Sequence, residues 1–126
     1  MVGYHGLRLR FYLTTAIDYV NSRPHLGTAY EKITADVIAR QHRLSGYDTH
    51  FVMGNDEHSQ NVFRRAKELG EDPLDYCNRM EQVFREVWGR LSISFDDFIR
   101  TTEPRHRTAV QQVAKRGADA GDVHDG

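Results

Sequence analysis

Residues 10–54 read "RFYLTTAIDYVNSRPHLGTAYEKITADVIARQHRLSGYDTHFVMG", and two different periods run through them. Leu7, Leu9, Phe11 and Leu13 alternate and lead into Thr14 and Thr15, which predicts a strand over about residues 8–15. Asp18, Asn21, Ser22 and Pro24 then supply turn chemistry. From Gly27 onward, Tyr30, Ile33, Val37, Ile38, Gln41 and Leu44 recur at three- and four-residue steps. That spacing predicts an amphipathic helix ending near Gly46. "YDTHFVMG", residues 47–54, is a second short strand. Strand, helix, strand in this order calls for a right-handed crossover and a parallel sheet.

The rest of the chain continues the alternation. "NDEH", residues 55–58, is a polar corner, and a helix from about Gln60 to Leu69 closes at Gly70 with Lys67 in its last turn. "DPLDYCNRMEQVFREVWGRL", residues 72–91, opens with Asp72 as N-cap and Pro73 in the first turn. Its apolar positions Cys77, Met80, Phe84, Val87 and Leu91 form a stripe that should face the core. "ISFDDFIRT", residues 93–101, is a third strand, and Pro104 starts a last helix. The tail "GADAGDVHDG" loses periodicity, and there are no internal repeats. The expected fold is α/β, a parallel-sheet Rossmann-like nucleotide-binding architecture.

The totals exclude several classes of function. A chain of 126 residues suits one domain. Its 18 acidic and 17 basic residues leave no bulk charge for gripping DNA or a membrane surface. An RNA partner would need a local surface. Cys77 is the only cysteine, which excludes an internal disulfide and a thiolate zinc cluster and fits a reducing compartment. No run approaches the ~20 apolar residues of a membrane span, and the N-terminus has no apolar core of a signal peptide. The expected location is cytoplasmic.

In parallel sheets, ligands sit outside the carboxyl ends of the strands. Two unusual stretches, "TTAIDYVNSRPHLGTAY" (14–30) and "MGNDEH" (53–58), directly follow strands and should line one edge of the sheet. Gly27 at a helix mouth lets a ligand approach the backbone, where free N–H groups and the dipole favour negative charge. His25, Thr28 and Asn21 add donors suited to a nucleoside triphosphate. Preplaced donors, not a covalent nucleophile, would be the mode of catalysis. The plainer alternative is that His25 and Gly27 only form a loop and helix start. Neither GxGxxG nor GxxxxGK[ST] is present. At the second corner, Asp56 can hold an ammonium group and His58 can reach a ribose or phosphate. A metal site is disfavoured there, because adjacent residues rarely converge on one ion, and no nucleophile elbow is present. His42, His50, His106 and His124 read as solvated or strand-edge residues.

Taken together, "FYLTTAIDYVNSRPHLGTAYEKITADVIARQHRLSGYDTHFVMGNDEHSQ", "AKELGEDPLDYCNRM" and "ISFDDFIRTTEPRHRTAVQQ" resemble the opening of a class I aminoacyl-tRNA synthetase of the methionyl family. The resemblance covers roughly residues 10–112. It implies that residues 25–28, "HLGT", stand in the place of the His-x-Gly-His signature, so that His25 and Thr28 are catalytic and bind ATP together with Asn21 and Gly27. It implies that Ala16, Ile17 and Tyr19 line a methionine pocket, that Asp56 holds the substrate ammonium, and that His58 sits in the same corner. An apolar, aromatic pocket suits a thioether. The implied substrates are methionine and ATP with Mg2+, and the implied partner is tRNA.

Thr28 departs from the signature's final His and cannot become cationic. The family's Lys-Met-Ser-Lys-Ser-type loop, zinc-bearing insertion and anticodon-binding domain have no counterpart here. Zinc is therefore expected only in that insertion, and residues 1–126 are expected to be a partial catalytic domain, inactive alone. Another class I synthetase (for leucine, isoleucine, valine or cysteine) and a noncatalytic ATP-, amino-acid- or partner-binding module are the competing readings.

Overall fold

A computed structural model describes residues 8–124. The elements, in order, are β1 (Arg10–Thr14), β2 (Asp18–Tyr19), α1 (Leu26–Leu44), β3 (Asp48–Asp56), α2 (Gln60–Leu69), α3 (Pro73–Arg90), β4 (Asp97–Arg100) and α4 (Pro104–Ala120). All four strands are parallel, with β3 at the centre. One flank of β3 pairs first with β1, Arg10 opposite Asp48 through Thr14 opposite Val52. Further along, the same flank pairs with β2, Asp18 opposite Asn55 and Tyr19 opposite Asp56. The other flank pairs with β4, Val52 opposite Asp97 through Asn55 opposite Arg100.

The α/β parallel architecture agrees with the expectation, and the differences lie in the details. Leu7 lies outside the described residues, and Leu9 is exposed while Phe11 and Leu13 are half-buried. β3 runs on to Asp56, so the first residues of the polar corner are themselves strand. β2 was not expected, since two paired residues leave no alternation to read. α4 continues through Gly117 to Ala120, where the tail had been read as aperiodic. No helix among the described residues is long and apolar enough to cross a membrane.

α3 behaves as its stripe predicts. Cys77, Met80 and Phe84 are buried, joined by Tyr76 and Trp88, with Val87 half-buried and only Leu91 exposed. Asp72 caps the helix by accepting the Leu74 and Asp75 N–H groups. Phe84 and Trp88 meet edge to face, with centroids 6.1 Å apart. They pack in one cluster with Phe51 and Met53 of β3 and Phe98 of β4.

α1 inverts its stripe. Tyr30, Ile33, Val37, Ile38 and Leu44 are exposed, and the buried positions are Lys32, Ala35, Asp36 and Ala39. Alanines let the helix axis approach the sheet closely. The two charged residues are tolerated because each is partnered. The Asp36 carboxylate accepts from the Ser94 N–H (2.7 Å), the Ser94 hydroxyl (2.5 Å) and Arg40 Nε (2.6 Å). Desolvation pushes this carboxyl up, but those donors outweigh it and hold it below the usual carboxylate range. Near the helix end, Arg43 binds Ser94 and Asp96, and Asp96 accepts the Phe51 N–H. His42, expected to be solvated or at a strand edge, lies in α1 and stacks on Phe11 at 3.5 Å between ring centroids.

Candidate active site

Strand ends and helix starts meet at one edge of the sheet. A cavity of about 260 Å3 opens there, walled by Ile17, Asp18, Tyr19, Asn21, Ser22, Arg23, Pro24, His25 and Thr28, with Phe84 of α3 reaching in from below. Five of the predicted site residues (Ile17, Tyr19, Asn21, His25 and Thr28) thus share one wall. Asp56 does not line this cavity, but it stands beside its wall as the register partner of Tyr19 across β2 and β3. The two stretches singled out in the sequence do converge.

His25 is exposed at the mouth of α1 and serves as its N-cap. Its Nδ1 accepts the Gly27 N–H at 3.1 Å and the Thr28 N–H at 3.4 Å. A ring nitrogen that accepts N–H groups carries no proton, so the neutral imidazole keeps its proton on Nε2. Nε2 lies 3.3 Å from Thr28 Oγ1. This corrects the expectation of free N–H groups at the helix mouth, because two of them are taken by His25 itself. Nε2–H therefore faces Thr28 Oγ1, which leaves the Thr28 hydroxyl proton as the donor not taken up within this pair. Gly27 has a second reason to be glycine, since a Cβ there would sit 3.0 Å from His25 Cε1. The close approach that it permits is to the imidazole.

The second corner is held from inside. Gly54 lies where β3 and β4 press together, and a Cβ would fall 2.1 Å from the Ile99 carbonyl oxygen. Glu57 turns away from the corner and is buried, its carboxylate accepting Arg100 Nε at 2.7 Å and the Thr102 hydroxyl. Arg100 also reaches Glu81 at 3.1 Å and Asn78 at 2.8 Å on α3. Asp56 stays outside this network and accepts the His58 N–H at 3.0 Å. His58 itself is exposed and its ring turns to Thr101, 3.1 Å from Nδ1. It lines a different, smaller depression with His106 and Val110, so it is not brought into the cavity that holds His25.

Ala16, a predicted site residue, is exposed and does not line the cavity. Its N–H donates to Glu31 Oε1 at 2.9 Å and its carbonyl accepts from Lys32 Nζ at 2.7 Å. Lys32 also pairs with Asp18 at 3.2 Å and Glu31 at 3.0 Å. Burial pushes the Asp18 carboxyl up, with Lys32 offsetting part of that. Desolvation also pushes Glu31 up, but the Ala16 N–H and Lys32 outweigh it and lower that carboxyl. Glu31 and Lys32 escaped sequence reading because their partners are backbone and side-chain groups 14 to 16 residues away. A lysine on the face that also carries Ala35 and Ala39 was the available signal. Among the described residues, no group of three or more His, Cys, Asp or Glu side chains is placed to hold a metal ion.

The model of the family described as "tRNA synthetases class I (M)" matches residues 11–126. The chain belongs to the class I tRNA synthetases. Among relatives of this synthetase chain, the methionine–tRNA ligase of Thermotoga maritima is 45% identical over 118 residues, 94% of this chain and 19% of that protein. The methionine–tRNA ligase of Deinococcus radiodurans is 47% identical over 115 residues, 90% of this chain and 17% of that protein. A solved structure of Mycobacterium tuberculosis methionyl-tRNA synthetase in complex with methionyl-adenylate superposes with a TM-score of 0.88 at 42% identity. It covers 90% of this chain and 22% of that one. The chain thus spans about a fifth of the length of the curated relatives it matches. Its Rossmann-like parallel sheet is that of the class I synthetases.

Proposed function

We propose that this chain supplies the amino-acid and ATP side of a methionine–tRNA ligase site. Methionine and ATP would give methionyl-adenylate and pyrophosphate there, and the acyl group would then pass to tRNA. The observation that carries the reading is the register of Tyr19 against Asp56 beside a cavity walled by His25 and Thr28. The likeness to methionine–tRNA ligases, one of them solved with methionyl-adenylate, supports it.

In this reading Ala16, Ile17 and Tyr19 surround the thioether side chain and Asp56 pairs with the ammonium. Both leave the carboxylate free to attack the α-phosphorus. The new bond is C–O–P, and the electron pair of the breaking P–O bond leaves with pyrophosphate. No protein nucleophile is needed, so the residues act by placing substrates and stabilising charge. The Thr28 hydroxyl donates to a phosphoryl oxygen, His25 Nε2–H does so on exchanging Thr28 Oγ1 for the nucleotide, and Asn21 adds a donor from the loop. Mg2+ arrives as part of the nucleotide substrate. Thr28, being neutral, contributes a hydrogen bond where a cationic ring would add charge.

Equilibrium titration of the chain with methionine and with ATP tests the proposal. Asp56→Ala is expected to weaken methionine binding by about tenfold or more, the loss of a charge-assisted contact, and to leave ATP binding alone. Unchanged methionine affinity would remove Asp56 from its role.

A further inference from the structure

Ala16 belongs to neither β1 nor β2. The last bond tying the first strand to β3 is Thr15 N–H to the Val52 carbonyl at 3.3 Å, and pairing resumes only at Asp18. Between them the backbone leaves the sheet, and its polar groups need other partners. Two consecutive residues of α1 provide them: Glu31 takes the Ala16 N–H, and Lys32 takes the Ala16 carbonyl. The lysine is completely enclosed. Enclosing an ammonium is unfavourable unless it is fully paired, and an apolar side chain of similar length would avoid the desolvation. A charge kept in such a place fixes geometry. Here that geometry is the outward step of residues 15–17, which delivers Ile17 and Tyr19 to the cavity wall.

We propose that Lys32, steadied by Glu31 and Asp18, is a positioning residue for the methionine end of the site. It acts on the substrate through the Ala16 peptide and touches neither substrate itself. The assignment rests on the methionine reading above.

Lys32→Met removes the ammonium and keeps the length of the stem. The readouts are amide hydrogen exchange at Ala16 and separate affinities for methionine and ATP. In the folded variant Ala16 exchanges faster, methionine affinity falls about tenfold or more, the scale of an ångström-sized misplacement, and ATP affinity holds. Any of three results in a folded variant overturns the proposal: unchanged Ala16 exchange, unchanged methionine affinity, or equal weakening of both ligands. Should Lys32→Met not fold because Asp18 is left unpaired, Lys32→Met combined with Asp18→Asn is judged by the same three criteria. Failure of both to fold assigns Lys32 to the fold and ends its role at the site. If the unsubstituted chain binds ATP but no methionine, the methionine reading fails by itself, and Ala16 exchange alone decides whether Lys32 sets that peptide.

Discussion

α1 and α3 pack on the same sheet and answer to opposite rules. α3 buries a large aromatic and sulfur-bearing stripe, whereas α1 buries two alanines, a lysine and an aspartate and leaves its apolar residues exposed. α3 holds the domain together through area removed from water. α1 does so through directed bonds to particular groups, the Ala16 peptide at one end and the Ser94–Asp96 loop at the other. A helix secured by area tolerates small slides. One secured by directed bonds does not, and it is the second kind that carries the cap residue of the cavity.

The contrast can be broken most readily at Trp88. Trp88→Ala empties a fully buried position of α3 and is expected to destabilise the chain by about 3–5 kcal/mol in urea or thermal unfolding. A loss below about 0.5 kcal/mol, the range of surface changes, would deny α3 its role. The next test exploits the thiol inside the same stripe. Burial pushes Cys77 up to about 11 from 9.0, so the folded chain keeps a proton that the unfolded chain releases first. The stability contributed by the protonated thiol is full below pH 9 and falls as pH rises toward 11, by about 2–3 kcal/mol. Cys77→Ala should flatten that part of the pH–stability curve relative to the parent chain, and parallel curves would refute it. The smallest effect is reserved for the stripe of α1. Leu44→Gln at its exposed end should change stability by no more than about 0.5 kcal/mol. A loss comparable to that at Trp88 would show that the apolar side of α1 is covered.

Much of this was legible from residue order. Alternation around Phe11 and the run to Met53 located β1 and β3, the 3–4 stepping of Cys77, Met80 and Phe84 located the core, and topology brought Tyr19 and Asp56 to one rim. What escaped has physical causes. Periodicity weighs apolar side chains alone, so it assigned the buried side of α1 to Val37 and Leu44 when small and partnered charged residues occupy it. β2 is too short to alternate. Gly27 was read as an opening for a ligand, while its nearest constraint is the imidazole two residues before it. His58 lies two residues after Asp56, yet its ring faces Thr101, because β3 ends at Asp56 and alternate residues no longer share a face beyond it.

α1 has 19 residues and is therefore about 28 Å long. It is gripped at Ser94 and Asp96 toward one end and at the Ala16 peptide toward the other, and its tip is the His25 imidazole. A tilt of about 2° around the far grip would swing that tip by about 1 Å if the Ala16 peptide released its hold. Arg43, Ser94 and Asp96 therefore share with the Ala16 peptide the setting of the cap at the cavity mouth. Drift in the Ser94–Asp96 loop would reach the cavity mouth through the helix before it unfolded the chain.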